Sequence, residues 1–308
     1  GPVRPLRTVT KIEWTFFAFS SLSLFVSLSF TVERLVTLPK NSDDYTFAIM
    51  LCFTSIFCFF YVVHGMLKER YQEIGVFMAS IVLLTIYLII NVVSDVISGH
   101  GAGASFIQKV VRLGVAGVFL LIIMCLGGYT AHTYRRDRRL MFEINANEEM
   151  QKMLGMLFLC SSLIFFDLQL QITMLIFVMN DGILMNSTEI IVLAVGVPVT
   201  VVFALLGNYA IFNEKKVCIC IFGLLWIPNV VYICCRLYYL HKNESWTELY
   251  LSTVACAVVA LIVRVLLAVN VVIVVRNFGQ GILEQLEALK IKRQELNIQI
   301  RSEDGELS

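Results

Sequence analysis

The chain has 308 residues, 58% of them hydrophobic and only 15% charged, with a mean hydropathy of +0.80. Soluble domains run near ~45–50% apolar and ~25% charged, so this composition excludes an ordinary soluble domain. A formal net charge of +1, with no dominant basic face, argues against nucleic acid as a partner.

The opening Gly1-Pro2 reads as the scar of a protease site, so the natural chain is expected to extend beyond both ends. Residues 1–13 form a short polar segment. The apolar run that follows, from Trp14, is too long for a signal-peptide core and right for a span. Seven further runs have the ~20 apolar residues that a bilayer core of ~30 Å demands. In order, the eight are Trp14–Val36, Tyr45–Met66, Ile74–Ile97, Val110–Thr133, Met153–Met179, Glu189–Ile211, Val217–Leu240 and Leu249–Val275. They are continuously apolar and lack the alternation of barrel strands, so helices are the expected spanning elements. The expectation is therefore an all-α, polytopic membrane helix bundle, with an eight-span domain over residues 14–276. A cytoplasmic amphipathic helix and tail follow over 277–308.

Basic residues set the orientation. With a cytoplasmic N-terminus, 13 Lys and Arg fall in inner segments and 6 in outer ones before the tail is counted. The cluster Arg135-Arg136-Asp137-Arg138-Arg139 is the strongest single signal. Two N-x-[ST] triplets, at Asn186 and Asn243, both land in loops that this orientation puts outside. The expected location is thus a eukaryotic plasma membrane or endomembrane, with both termini cytoplasmic and Asn186 and Asn243 as glycosylation acceptors.

Charge inside an apolar run is the most informative feature. A charged residue at the bilayer centre costs at least ~2.5–3.5 kcal/mol on insertion scales. Asp167 lies near the middle of the fifth run and Arg264 near the middle of the eighth. The two are at comparable depth, within the reach of an arginine side chain, so an ion pair facing the bundle interior is expected. Gln171 is one turn from Asp167 on the same helix face, Gln169 points roughly the other way, and Asn270 adds polarity to the eighth run. Asp167, Gln171, Arg264 and Asn270 are the candidate ligand or ion pathway. Pro198 and Pro228 sit within the sixth and seventh runs, where each is expected to kink its helix and free a carbonyl one turn earlier.

Other chemistry finds no support. The motifs of metalloproteases, serine hydrolases, P-loop proteins and kinases are absent, and the four histidines are scattered near span ends. No catalytic residue, cofactor or metal is expected. All nine cysteines fall in apolar runs; Cys218-x-Cys220 and Cys234-Cys235 read as small hydrophobes rather than ligands.

The tail has its own pattern. Ile282, Leu286, Leu289, Arg293, Leu296 and Ile300 are spaced 4, 3, 4, 3, 4, a heptad seam interrupted by one charge. Such a seam either lies against the bundle or joins subunits, and a homo-oligomer assembled in part through it is expected. The functional reading is a channel or transporter for an ion or small solute. The alternative is a receptor or sensor, one span plus seven, signalling inward through the C-terminal helix.

Overall fold

The computed structural model describes residues 9–37, 43–97, 103–137, 148–177, 187–243 and 248–284, then 286–288, 291, 294–295 and 298. The described elements are helices: α1 Lys11–Thr37, α2 Asp43–Lys68, α3 Tyr71–Ile97, α4 Ala104–Asp137, α5 Glu148–Ile176, α6 Ser187–Phe212, α7 Lys216–Asn243 and α8 Glu248–Arg276. All eight are long and apolar enough to cross a membrane. Each contains the middle of an expected apolar run. The ends differ by a few residues, because helices continue into polar caps that hydropathy does not register. The largest shift is at α4, which starts at Ala104 rather than Val110 and so takes Lys109 into the helix.

Local chemistry fixes the helix ends. At the start of α1, the Glu13 carboxylate accepts the Thr10 N–H at 2.7 Å, and the Thr10 hydroxyl accepts the Glu13 N–H at 3.4 Å. This reciprocal capping box satisfies two donors that the first helical turn would otherwise leave open. Within the apolar stretches, hydroxyls are satisfied by their own helix. Thr54, Ser55, Thr85, Ser162 and Thr173 each donate to the carbonyl four residues back, at 2.8–3.0 Å. A serine or threonine therefore sits in these spans without needing water.

The eight helices form two units of the same topology. In the first, α1, α2, α3 and α4 pack in a closed ring, each against the next and α4 against α1. In the second, α5, α6, α7 and α8 repeat that ring. The tight turn between the second and third helices is the same in both units. Glu69 and Glu214 adopt φ of 53° and 50°, the left-handed position that ends a helix. The N–H after each closes on the carbonyl five residues back: Arg70 to Gly65 at 2.9 Å, and Lys215 to Ala210 at 3.0 Å.

The units meet along a seam where α2 and α3 face α5 and α8. These four are the more buried spans, α5 most of all, while α1, α4, α6 and α7 lie on the outside. The outer faces present large apolar side chains, among them Leu121, Val195, Leu224 and Ile227, the surface a lipid environment requires. Pro198 and Pro228 lie inside α6 and α7, which run on through them.

Beyond α8 the chain turns at Gly279 and Gly281, with φ of 81° and 86°. The Gly279 N–H donates to the Glu214 carboxylate at 3.0 Å, tying the start of the tail to the α6–α7 turn. Ile282 is then buried and Leu286 packs against the core. The tail's first turn thus uses its apolar side chains within its own chain. Leu289, Arg293, Leu296 and Ile300 lie outside the described residues.

Candidate functional site in the inter-unit seam

Helix α5 is the axis of the site. It carries Ser161, Ser162, Asp167, Gln169, Gln171 and Thr173, all buried. A polar face of this kind on a membrane span has to be met by neighbouring helices, since lipid cannot satisfy it. Five neighbours meet it. The Tyr61 hydroxyl of α2 donates to the Phe165 carbonyl at 3.0 Å. The Ser80 hydroxyl of α3 donates to Gln169 Oε1 at 3.2 Å. Asn208 of α6 accepts from the Ser161 hydroxyl at 2.7 Å. Arg236 Nη2 of α7 donates to the Phe177 carbonyl at 3.0 Å, satisfying an acceptor at the end of α5. Arg264 of α8 reaches Asp167.

The centre of the seam is that last contact. Arg264 Nε donates to Asp167 Oδ1 at 3.1 Å, with both side chains 2% exposed. Gln171, one turn along α5, donates its amide N–H to the other carboxylate oxygen, Oδ2. The expected pair is therefore present, and the carboxylate is held on both oxygens. Gln169 lies on the opposite face, as its spacing requires, and faces α3 rather than α8.

The partners leave a remainder. Among the described residues, Arg264 Nη1 and Nη2 are buried and without a hydrogen-bond partner, as are Gln171 Oε1, Gln169 Nε2 and Asn270 Oδ1. Each such group carries a desolvation penalty of ~1–3 kcal/mol, more when charged. Donors and acceptors are both represented, so the set is suited to water or to a small polar guest, which could bond to Arg264 on one side and Gln171 on the other. Gln171 lies about 6 Å from the level of Asp167 toward one membrane face. Asn270 lies about 9 Å from Arg264 toward the other, roughly 120° round the helix. Polar groups thus occupy successive depths of the seam.

Of the residues expected to form the pathway, Asp167, Gln171 and Arg264 come together, while Asn270 is buried nearby on a different face of α8. Pro198 and Pro228 sit in the outer helices of the second unit, away from the ion pair. Asn243 ends α7, and Asn186 lies outside the described residues.

Two features escaped the sequence reading. Asn208, near the end of the sixth apolar run, is bonded to Ser161. At one end of α2 and α3, His64 Nδ1 pairs with Glu73 Oε2, and Arg70 Nη1 donates to Glu73 Oε1 at 3.1 Å. The Arg70 guanidinium also lies 4.3 Å from the Phe158 ring centroid, fastening the first unit to α5. The available signal was Glu73 in the first turn of α3, a carboxylate where the helix dipole favours one.

The model of the family described as Domain of unknown function (DUF7789) matches residues 1–129 and 144–273. The chain belongs to this family. The two matched stretches hold 129 and 130 residues (129 − 1 + 1 and 273 − 144 + 1), and each coincides with one four-helix unit almost throughout. Neither a curated protein nor a solved structure matches the chain.

Proposed function

We propose that the protein is a membrane transport protein, of channel or transporter type, whose ion or small polar solute contacts the seam at Asp167, Gln171 and Arg264. One observation carries this reading: at the Asp167–Arg264 pair the buried Arg264 Nη1 and Nη2 and Gln171 Oε1 have no partner among the described residues, and Gln169 Nε2 and Asn270 Oδ1 are open in the same way elsewhere in the seam. A purely structural clasp is favoured by closing such groups on each other, because every open one weakens the fold. Open groups beside a fixed pair are what a transient polar guest needs. Their position between two repeated units matches the place where transporters of repeated architecture put their substrate sites. Relative movement of the two units across this seam would expose the site alternately.

The test is flux through liposomes carrying the purified protein, with monovalent cations, protons, halides and amino acids as the panel. Transport of at least one solute, reduced in Asp167→Asn and Arg264→Gln and retained in Gly223→Ala, is the expected result. Proteoliposomes no more permeable than empty vesicles to the whole panel would overturn it.

The receptor or sensor reading has one observation in its favour. The tail is tied to the α6–α7 turn through Gly279 and Glu214 and is seated by Ile282, so a shift of the second unit would be passed to it. A ligand that moves the tail without any flux would favour that reading.

A further inference from the structure

The first unit contains a cleft remote from the seam's ion pair. It opens between α1 and α4, is floored by α2 and α3, and encloses about 550 Å³ counted out to its mouth. Its wall is mostly hydrocarbon, including Leu24, Leu51, Leu84 and Phe119, with the hydroxyl residues Ser23, Ser27 and Thr85 and one cation, Arg112.

Arg112 is 7% exposed. Its Nη2 donates to the Thr31 hydroxyl, which in turn donates to the Ser27 carbonyl at 2.8 Å, so that hydroxyl has no further proton to offer. Its Nε is buried without a partner among the described residues. No described carboxylate pairs with it. Asp95, which supports the same helix, is taken by Lys109 at 2.8 Å, one turn away. The field of Arg34 adds a like charge. The contrast with Arg264, whose carboxylate is supplied by α5, is direct. A guanidinium presents five donors in a planar fork suited to carboxylate or phosphate, and one hydroxyl satisfies little of that capacity.

Depth fits the same chemistry. Arg112 is eight residues into α4, about 12 Å along the helix from its first residue. The apolar wall continues from there toward the bilayer middle. A charged head at Arg112 would therefore have its hydrocarbon portion running along Leu84, Leu51 and Ile81.

We propose that this cleft binds one anionic amphiphile, its carboxylate or phosphate held by Arg112 and its acyl chain lying in the cleft of the first unit. A free fatty acid and an anionic phospholipid share this chemistry. Zwitterionic and uncharged lipids lack the net charge that Arg112 leaves uncompensated.

The experiment is native mass spectrometry of the protein in neutral detergent, offered oleate, dioleoyl phosphatidylglycerol or dioleoyl phosphatidylcholine separately. Wild-type protein should retain one copy of an anionic species and little phosphatidylcholine. Retention of oleate alone identifies a free fatty acid as the source, and retention of phosphatidylglycerol alone a membrane phospholipid. Both together mean that the site reads the charged head only. Arg112→Gln should weaken retention by about ten- to a hundredfold, the equivalent of one charge-assisted hydrogen bond. Ala116→Phe fills the cleft with Arg112 intact and should abolish retention, which provides a test if the glutamine variant fails to fold. Equal retention by wild-type and variant proteins, or phosphatidylcholine held as tightly as the anions, would overturn the proposal. Neither result depends on whether the seam conducts.

Discussion

Glu69 and Glu214 stand 145 residues apart (214 − 69) and hold the same left-handed backbone position, each at the turn from the second to the third helix of its unit. The next residues, Arg70 and Lys215, close the same hydrogen bond back to the helix just ended. The helices that begin there, α3 at Tyr71 and α7 at Lys216, are again 145 residues apart (216 − 71). One turn geometry therefore sets the angle between successive helices in both units.

This position is strained for a residue with a Cβ, by ~1–2 kcal/mol. A β-branched side chain tolerates it least. Glu69→Val and Glu214→Val should each lower stability, by about 1–2 kcal/mol, with the glycine variant at each site more stable than the valine one. At position 214 the glycine variant also loses the carboxylate that accepts the Gly279 N–H. Thermal melts in detergent would read the order; valine and glycine variants that melt together would contradict it.

The Asp167–Arg264 pair makes a second prediction. Removing one member leaves the other buried without its countercharge, which typically costs ~3–5 kcal/mol. Asp167→Asn and Arg264→Gln should each be strongly destabilised, and the double variant should recover part of the loss, since two neutral amides can bond to each other and to Gln171. A double-mutant cycle on melting temperature measures the coupling. Strictly additive effects would mean that the pair is not energetically coupled.

The spans and the central pair were legible in the sequence for one reason: a bilayer imposes requirements that composition records. Twenty apolar residues mark a span whatever their order. A lone Asp and a lone Arg at similar depth in such runs have few partners besides each other. The repeat was not legible, because its common features are backbone ones. Leu67-Lys68-Glu69-Arg70 and Phe212-Asn213-Glu214-Lys215 share one glutamate, and neither turn has the glycine that usually advertises a left-handed residue. The Arg112 cleft was hidden for a different reason. Near the end of an apolar run a cation reads as an interface residue, and only the packing of α1 over α4 makes it a buried one.

Orientation is open to direct measurement. The distribution of basic residues and the placement of both glycosylation triplets predict that Asp137 faces the cytoplasm and Glu244 the opposite side. Asp137→Cys and Glu244→Cys, labelled on intact cells with a membrane-impermeant maleimide, should react only at 244. Labelling at 137 from outside would invert the topology.

The last prediction concerns the contact between α6 and α7. A Cβ added at Gly207 would stand 2.5 Å from Phe222 Cε2 and 2.9 Å from its Cδ2. Phe222 cannot simply swing aside, because its ring is stacked on Phe203 with centroids 4.3 Å apart and planes 13° from parallel. Gly207→Ala must therefore spread the two helices or break the stack, and overpacking of this kind costs ~1–3 kcal/mol. Gly223, one residue after Phe222, has nothing within 4 Å of its would-be Cβ. There the helix-forming advantage of alanine stands alone, and Gly223→Ala should stabilise by up to ~1 kcal/mol. The same substitution one residue from the contact and at its centre should thus move the melting temperature in opposite directions. A Gly207→Ala protein as stable as wild type would mean that α6 and α7 do not approach at that point.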